Sequence, residues 1–163
     1  MAPAITRSRV VDSPIGPLTL GGTDEVLMHL CMHEQAHAPA DRAQWPRSEG
    51  AFGDVVELLN SYFAGERVDM DVKLHLQGTS FQQEVCQALR EIPHGETWSY
   101  GKLAAHIGRP SASRAVGLAV GRNPIAIVVP CHRVVGADGS LTGFAGGLER
   151  KRALLDLERR ARP

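Results

Sequence analysis

Glycine and proline interrupt the second half of the chain at three places, residues 93–96, 108–110 and 121–124. Proline cannot continue a helix and glycine weakens one, so no long helix can run through these points. The segments between them carry apolar residues at a spacing near 3.6, and Thr79 or Ser80 and then Ser99 stand where helix caps are expected. The sequence therefore predicts three short helices, at residues 81–91, 100–107 and 113–120.

The second and third of these helices are joined by the turn Gly108-Arg109-Pro110. Two short helices joined by a tight glycine-containing turn are typical of a helix-turn-helix. The third helix consists almost entirely of small residues, with one long cation, Arg114, near its start. Such a helix can press into the minor groove of DNA, or it can be an alanine and glycine helix buried against its neighbours. The sequence leaves both interpretations open.

The first half of the chain follows a different pattern. Residues 10–22 predict two strands joined by a turn rich in proline and glycine, and residues 26–32 predict a third strand. Apolar residues at helical spacing predict a helix at residues 55–63. Residues 71–76 are predicted as a short strand or an extended linker.

This change of pattern predicts an α+β protein of two domains. Residues 1–77 would form a small N-terminal antiparallel sheet with a helix, and residues 78–163 a mostly helical C-terminal domain with the helix-turn-helix. The charged residues divide at nearly the same place. Residues 1–80 carry 6 Lys and Arg and 11 Asp and Glu, so they are acidic, whereas residues 81–163 carry 12 Lys and Arg and 7 Asp and Glu, so they are basic. The basic half suggests an anionic partner, although ordinary solvated arginines would give the same count.

Three cysteines, Cys31, Cys86 and Cys131, are widely spaced and odd in number. This usage fits a reducing compartment without a disulfide framework, and we expect a cytoplasmic protein. The first ten residues contain no apolar segment of a signal peptide. No apolar run is long enough to span a bilayer, so no membrane partner is expected.

The segment Pro130-Cys131-His132-Arg133 carries the clearest chemical signal. It follows the apolar, strand-like run at residues 125–129, and Pro130 fixes the backbone where Cys131 emerges. A thiol becomes a strong nucleophile when a neighbouring group lowers its pKa or takes its proton, and His132 is adjacent. The alternative is a buried free cysteine beside a capping histidine.

Together with other short motifs, this segment identifies a resemblance that covers nearly the whole chain and is strongest over residues 78–158. The chain resembles the O6-alkylguanine-DNA alkyltransferases. The residues that carry the resemblance are Ser13-Pro14-Ile15-Gly16-Pro17-Leu18, Phe81-Gln82-Gln83-Glu84-Val85, Ile92-Pro93-His94-Gly95-Glu96-Thr97, Ser99-Tyr100-Gly101, Arg114-Ala115-Val116-Gly117, Asn123-Pro124, Val129-Pro130-Cys131-His132-Arg133-Val134 and Gly146-Gly147.

The resemblance implies a ribonuclease H-like N-terminal domain, a winged-helix-like C-terminal domain and DNA repair by direct reversal. Such a protein is a methylated-DNA–protein-cysteine methyltransferase. It would flip O6-alkylguanine out of duplex DNA and transfer the alkyl group irreversibly to its own Cys131, acting once. O4-alkylthymine is a second substrate that the sequence leaves open.

The resemblance also implies roles for individual residues. Cys131 would attack the alkyl carbon, His132 would take the thiol proton through a water, and Glu158 would orient the imidazole. Asn123 would tie its turn to the Cys131 segment, and Tyr100 would crowd the phosphate and donate to guanine N3. The alternative for Glu158 is a surface glutamate paired with arginines of its own helix.

Arg114 would fill the space left by the flipped base, which has to leave the stack because its O6 atom is shielded in the duplex. The partner would be the minor groove of double-stranded DNA, met by a monomer for which clustering on DNA remains open. The residues expected at DNA are Tyr100, Ser113, Arg114, Ala115, Gly117 and Ala119. Those expected around the base are Val120, Val134, Gly143, Phe144 and Ala145.

The chain departs from the pattern of the O6-alkylguanine-DNA alkyltransferases at three places. Many relatives have tyrosine where this chain has Phe144, and tryptophan is usual where it has Cys86, which is expected in the core. Some relatives bind zinc, but the family's ligand pattern does not map onto the cluster of His29, Cys31, His33 and His37. We therefore expect neither a metal nor a cofactor.

Two other classes of protein compete with a DNA alkyltransferase. One is a non-catalytic binding module, either a helix-turn-helix regulator or an alkyltransferase-like lesion sensor; such sensors lack the cysteine that Cys131 provides. The other is a Cys-His hydrolase, which would need an oxyanion hole and would leave Tyr100, Arg114 and the third helix of small residues without a role.

Overall fold

The computed structural model describes residues 3–161. Its first half contains three strands, β1 (Arg7–Val11), β2 (Leu18–Gly22) and β3 (Leu27–Met32). They form an antiparallel sheet in the order β1-β2-β3, in which Leu20 of β2 faces Arg9 on one side and Leu30 on the other. The predicted meander is therefore confirmed. Every residue of β3 is buried, because later parts of the chain cover the sheet.

Helix α1 (Gly53–Phe63) agrees with the helix predicted at residues 55–63. Its buried residues Val55, Leu59 and Tyr62 recur at the spacing of one helix face. Residues 71–76 are extended, and they pair with β3 at a single bridge between Leu74 and Leu27. The prediction of an extended linker is thus closer to the structure than that of a strand.

The second half is mostly helical. Helices α2 (Ser80–Leu89), α3 (Tyr100–His106) and α4 (Ser113–Gly121) contact one another, and α5 (Leu148–Arg160) follows them. Thr79 and Gln82 form a capping box at the start of α2, and Ser99 caps α3 by accepting from the Lys102 amide. Two very short strands, β4 (Trp98–Ser99) and β5 (Val134–Val135), pair in parallel.

Helices α3 and α4 are joined by the predicted turn, in which Gly108 has a φ of 77°. This backbone conformation suits glycine because it has no Cβ. The helix-turn-helix and the α+β class are therefore confirmed. Within residues 3–161, none of the helices combines the length and the apolar character needed to cross a membrane.

The apolar run at residues 125–129 is not a strand, so that prediction is wrong. It forms only single bridges, between Ile125 and Leu30 and between Ala126 and Val129, and Ile127 has a φ of 70°. The Val128 amide donates to the Ala126 carbonyl at 2.8 Å, which closes a tight turn. An apolar run shows only that a segment is buried. Here the buried segment is a tight turn in which the chain reverses direction.

This turn and the sheet belong to one apolar core that draws on both halves of the chain. The Leu30 amide donates to the Pro124 carbonyl at 3.0 Å, and the Ala126 amide donates to the Leu30 carbonyl at 3.1 Å. The edge strand β3 is thereby fastened to the segment that leads into Cys131. The core and strand β3 thus hold in place the segment that carries Cys131.

Candidate active site

Cys131 opens a short 3-10 turn, Cys131–Arg133, directly after Pro130. Its side chain lies at the edge of the core, with the residue 7% exposed. Asn123 fixes the preceding segment by two hydrogen bonds: its side-chain nitrogen donates to the Val129 carbonyl at 2.8 Å, and its oxygen accepts from the Ile125 amide at 3.0 Å. A single buried amide therefore holds both ends of the tight turn that leads into the cysteine.

His132 is fully buried and contacts Glu158. Its Nε2 lies 2.5 Å from Oε2 of Glu158. A carboxylate only accepts hydrogen bonds, so this contact assigns the imidazole proton to Nε2. Nδ1 then carries the lone pair, and it has no hydrogen-bond partner among the described residues. The arrangement leaves His132 with a free, buried proton acceptor.

Glu158 is the centre of a buried hydrogen-bond network rather than a surface residue. Arg133 donates to it from Nε at 2.7 Å and from a terminal nitrogen at 3.1 Å. The Tyr62 hydroxyl donates to Oε2 at 2.6 Å, and the Gly95 amide donates to Oε1 at 3.1 Å. The alternative of a solvated glutamate paired along its own helix is therefore wrong.

The protonation states follow from burial and these contacts. Burial raises the pKa of Glu158, but hydrogen bonds and charges from His132 and Arg133 outweigh it and hold the pKa well below its usual range. Burial lowers the pKa of His132, and the nearby Glu158 offsets this only in part. The site at neutral pH thus holds an ionised glutamate and a neutral histidine.

Burial also raises the pKa of Cys131, with Asn123 and then Lys151 acting in the opposite direction. The thiol is therefore protonated at neutral pH, and it needs a base before it can act as a nucleophile. A neutral imidazole with a free Nδ1 is such a base. The directions of these pKa shifts favour a neutral thiol and a neutral imidazole before reaction over a preformed thiolate–imidazolium pair.

Beside Cys131 lies a narrow cavity of about 10 Å³, which is about enough for one water molecule. Val120, Gly143, Phe144 and Ala145, all predicted to surround a base, line it. Val134, expected to contact the base through its carbonyl, is not among the lining residues. The structure therefore brings four of the five predicted base-contacting residues to the same cavity.

Both halves of the chain match models of one family. Residues 6–76 match the ribonuclease-like domain of 6-O-methylguanine DNA methyltransferase, and residues 80–160 match its DNA binding domain. The chain belongs to the 6-O-methylguanine DNA methyltransferase family.

Relatives within this family are close. The methylated-DNA–protein-cysteine methyltransferase of Mycobacterium tuberculosis H37Rv is 59% identical over 155 residues, which are 95% of this chain and 93% of that protein. The one from Methanosarcina acetivorans is 50% identical, over 91% of this chain and 96% of that protein. The crystal structure of Mycobacterium tuberculosis OGT in complex with DNA has a TM-score of 0.89 and 57% identity, covering 96% of this chain and 95% of that chain.

In this member of the 6-O-methylguanine DNA methyltransferase family, helix α4 has two faces. Val116, Ala119 and Val120 are buried, whereas Arg114 and Ala115 are exposed. The buried face fits a helix packed against its neighbours, and the exposed face is the one that could meet the minor groove. Ala119, which was predicted at DNA, is only 4% exposed and packs into the core, so its side chain is not on the exposed face.

The remaining residues predicted at DNA lie at the edge of this exposed face. Ser113 and Gly117 are partly buried. The ring of Tyr100 lies against Gly117, where an added Cβ would be 3.7 Å from the ring. The hydroxyl of Tyr100 accepts from the Thr142 hydroxyl at 3.2 Å. Tyr100 therefore joins α4 to the loop that borders the cavity.

Sequence reasoning missed three residues of this region. Leu118 is 72% exposed on α4, which is unusual for a large apolar side chain. Lys151 is fully buried and donates to the Thr142 carbonyl at 2.9 Å. Tyr62 reaches Glu158 from α1. Lys151 could have been found, because it shares the stripe of Leu154, Leu155 and Glu158 on α5.

The other sequence features lie away from the cavity or in the core. All three cysteines are free, and burial raises the pKa of Cys86 to about 12. His29 packs against Trp45, with ring centroids 5.2 Å apart. Across residues 3–161, no three His, Cys, Asp or Glu side chains are placed to hold a metal ion.

Buried histidines predict that the protein loses stability in mild acid. Burial lowers the pKa of His29, His94 and His132 below the ordinary value of 6.5. As pH falls below 6.5, the unfolded chain binds protons that the folded chain does not, so folding becomes less favourable. We expect urea unfolding to give a free energy lower by about 1 kcal/mol or more at pH 5.5 than at pH 7.5.

Two variants test whether buried histidines cause this pH dependence of the unfolding free energy: one replaces a buried histidine and the other an exposed one. His94→Phe should reduce the dependence on pH, whereas His37→Asn should leave it unchanged, since His37 is exposed and asparagine tolerates its φ of 62°. A stability that stays constant between the two pH values would contradict the assignment of neutral buried histidines.

Proposed function

We propose that this protein repairs DNA by direct reversal: it transfers the alkyl group of O6-alkylguanine in duplex DNA to its own Cys131 and is consumed in doing so. The observation that carries the proposal is Cys131 at the cavity, followed directly by His132 in a buried hydrogen bond with Glu158, in a protein from this family. The crystallised relative from Mycobacterium tuberculosis is in complex with DNA, which supports DNA as the partner.

The reaction follows from the protonation states. The thiol proton of Cys131 passes to Nδ1 of the neutral His132, through a water, and the resulting imidazolium is stabilised by Glu158. The sulfur then bonds to the alkyl carbon while the bond from that carbon to O6 breaks. The guanine anion regains one proton, so the net reaction exchanges the thiol hydrogen for the alkyl group. A thioether is stable, which makes the transfer irreversible.

Helix α4 is proposed to meet the minor groove through its exposed face. Arg114 would occupy the space of the flipped base, and Leu118 adds an apolar contact of the kind that minor-groove proteins insert. Tyr100 contacts Gly117 of this helix and Thr142 of the neighbouring loop, a position from which it would meet the flipped nucleotide. The net positive charge of the second half supports contact with phosphates, so binding should weaken with salt.

The organisation and location of the protein are proposals as well. We propose one domain at residues 1–77 and one at residues 78–163, supported by the separate family matches at 6–76 and 80–160. A cytoplasmic location is supported by the three free cysteines. We also propose a monomer that needs neither a metal nor a cofactor.

The test is incubation with a duplex oligonucleotide that contains one O6-methylguanine. Intact mass spectrometry should show the gain of one methyl group per protein molecule, and peptide mapping should place it on Cys131. The oligonucleotide should contain ordinary guanine afterwards. Repeated turnover, or modification at any other residue, would contradict the proposal.

The role of Arg114 can be separated from that of the thiol. Arg114→Ala should slow transfer from duplex DNA by about tenfold or more, because opening the stack costs a few kcal/mol that the arginine offsets. Transfer from free O6-benzylguanine should stay nearly unchanged, because a free base needs no flipping. The rates are measured by mass spectrometry at equal protein concentration.

Arg159→Ala is the matched control, since Arg159 is exposed on α5 and, among residues 3–161, forms its ion pair with Asp156 of its own helix. It removes the same charge without touching α4, so transfer from both substrates should be preserved. Equal losses on duplex and free base in Arg114→Ala would show that Arg114 acts on the chemistry instead.

A further inference from the structure

One wall of the cavity beside Cys131 comes from the first half of the chain. Met32, the last residue of β3, and Gln35, in the following turn, line the cavity together with Phe144 and Ala145. Met32 is only 1% exposed, so its side chain is packed between the sheet and the cavity. We call residues 32–36 the N-terminal wall. None of its residues belongs to the motifs that suggested the alkyl-transfer chemistry.

The N-terminal wall is packed tightly against the loop that carries Phe144 and Ala145. The Ala36 amide donates to the Ala145 carbonyl at 2.9 Å. A Cβ added to Gly146 would come within 2.6 Å of the end of the Met32 side chain, so the two segments approach closely at this point. The wall and the loop are therefore in contact beside the cavity, with Met32 at the point of closest approach.

Arg150 adds a second connection between the same two segments. Its guanidinium donates to the His33 carbonyl at 2.5 Å and to the Gly146 carbonyl at 3.4 Å. It also donates to the Ile15 carbonyl at 3.1 Å, which anchors it to the turn before β2. These bonds hold the N-terminal wall at the cavity and make it a part of the site.

The chemistry of the wall can be assigned from its hydrogen bonds. The Oε1 atom of Gln35 accepts from the Met32 amide at 2.9 Å. Because a backbone amide can only donate, the oxygen must face Met32, and the side-chain nitrogen is left for other contacts. The wall thus presents a flexible thioether and one amide donor. A thioether with three rotatable bonds adapts its shape to an apolar group.

We propose that Met32 and Gln35 determine which alkyl groups the protein accepts from O6 of guanine. The inference rests on the proposed function, because it concerns the substrate of the same site. A cavity of about 10 Å³ holds about one water molecule, so part of its wall must move before a flipped base and its alkyl group can enter. Met32 is the flexible part of the wall, so its size limits the entry of bulky groups.

The experiment compares two substrates in one duplex sequence, one with O6-methylguanine and one with O6-benzylguanine. Placing both in DNA makes binding and base flipping common to the two reactions, so their ratio reports on the pocket. Met32→Ala and Gln35→Ala should each raise the rate for benzyl relative to methyl by about tenfold, the scale on which a pocket distinguishes small changes in apolar volume.

Met28→Ala is the matched control, because Met28 is a buried methionine of the same strand that does not line the cavity. It should leave the ratio unchanged even if it lowers stability. Gln35 is partly exposed, so Gln35→Ala should fold. If Met32→Ala fails to fold, the benzyl-to-methyl ratio of Gln35→Ala tests the proposal.

The outcomes separate the two proposals. A wild-type protein that transfers neither group overturns the proposed function. A wild-type protein that transfers methyl, with an unchanged ratio in Gln35→Ala and in any Met32→Ala that folds, overturns only the role of the N-terminal wall. A ratio that also changes in Met28→Ala overturns the role of the N-terminal wall as well, since looser packing of the whole core would then explain the change.

Discussion

Replacing Cys131 by serine will abolish alkyl transfer while leaving the affinity for DNA intact. The hydroxyl of serine is a far weaker acid than a thiol, and a neutral imidazole cannot ionise it without further help. The loss should be at least about 10⁴-fold, the scale on which enzymes lose activity with their nucleophile. Transfer is measured by intact mass, and affinity by the binding of a duplex containing O6-methylguanine.

The fold should survive this substitution. The tight turn before Cys131 is held by Asn123 and not by the thiol, so serine should keep the segment in place. Cys86→Ser and Cys31→Ser are the controls, because both replace a buried free cysteine outside the cavity. They should cost stability and still allow transfer. Residual transfer in Cys131→Ser, or a loss of transfer in Cys86→Ser alone, would identify a different nucleophile.

The elements that sequence predicted correctly are those fixed by local chemistry. Thr79 and Gln82 form the capping box that starts α2, Ser99 caps α3, and Gly108 makes the turn of the helix-turn-helix. Each of these signals acts over a few residues, so it is visible in the sequence alone. The strands of the meander were visible for the same reason, because proline and glycine mark the turns between them.

What could not be predicted depends on contacts between distant residues. Tyr62 lies 96 positions before Glu158, and no local pattern connects the two. The run at residues 125–129 has the composition of a strand, but the core around it leaves only space for a turn with Ile127 at positive φ. Met32 and Gln35 carry no chemical motif at all, and only the fold brings them to Cys131.

The site residues illustrate the same distinction. The family resemblance suggested Cys131, His132 and Glu158 as a unit, but their protonation states follow from burial, which a sequence does not contain. A carboxylate beside an imidazole suggests an imidazolium that would favour a thiolate. In the structure, burial lowers the pKa of His132 and raises that of Cys131, so both groups are neutral before reaction.

Replacing Glu158 by glutamine will have the second large effect, on both stability and reactivity. The variant leaves the buried Arg133 without its charge partner, which should cost about 3–5 kcal/mol of unfolding free energy. It also removes the charge that supports a proton on His132, so the imidazole becomes a weaker base. We therefore expect Cys131 to react only at higher pH, with free O6-benzylguanine as well as with duplex DNA.

Tyr62→Phe separates these two effects. It removes one hydrogen bond to Glu158 but keeps the carboxylate and its contacts with His132 and Arg133, so it should cost about 1 kcal/mol and leave the pH–rate profile in place. Because Glu158 and His132 act on the same proton, the rate losses of Glu158→Gln and His132→Ala should not add in the double variant. Additive losses, or a Glu158→Gln profile identical to that of the wild type, would reduce Glu158 to a structural anchor for Arg133.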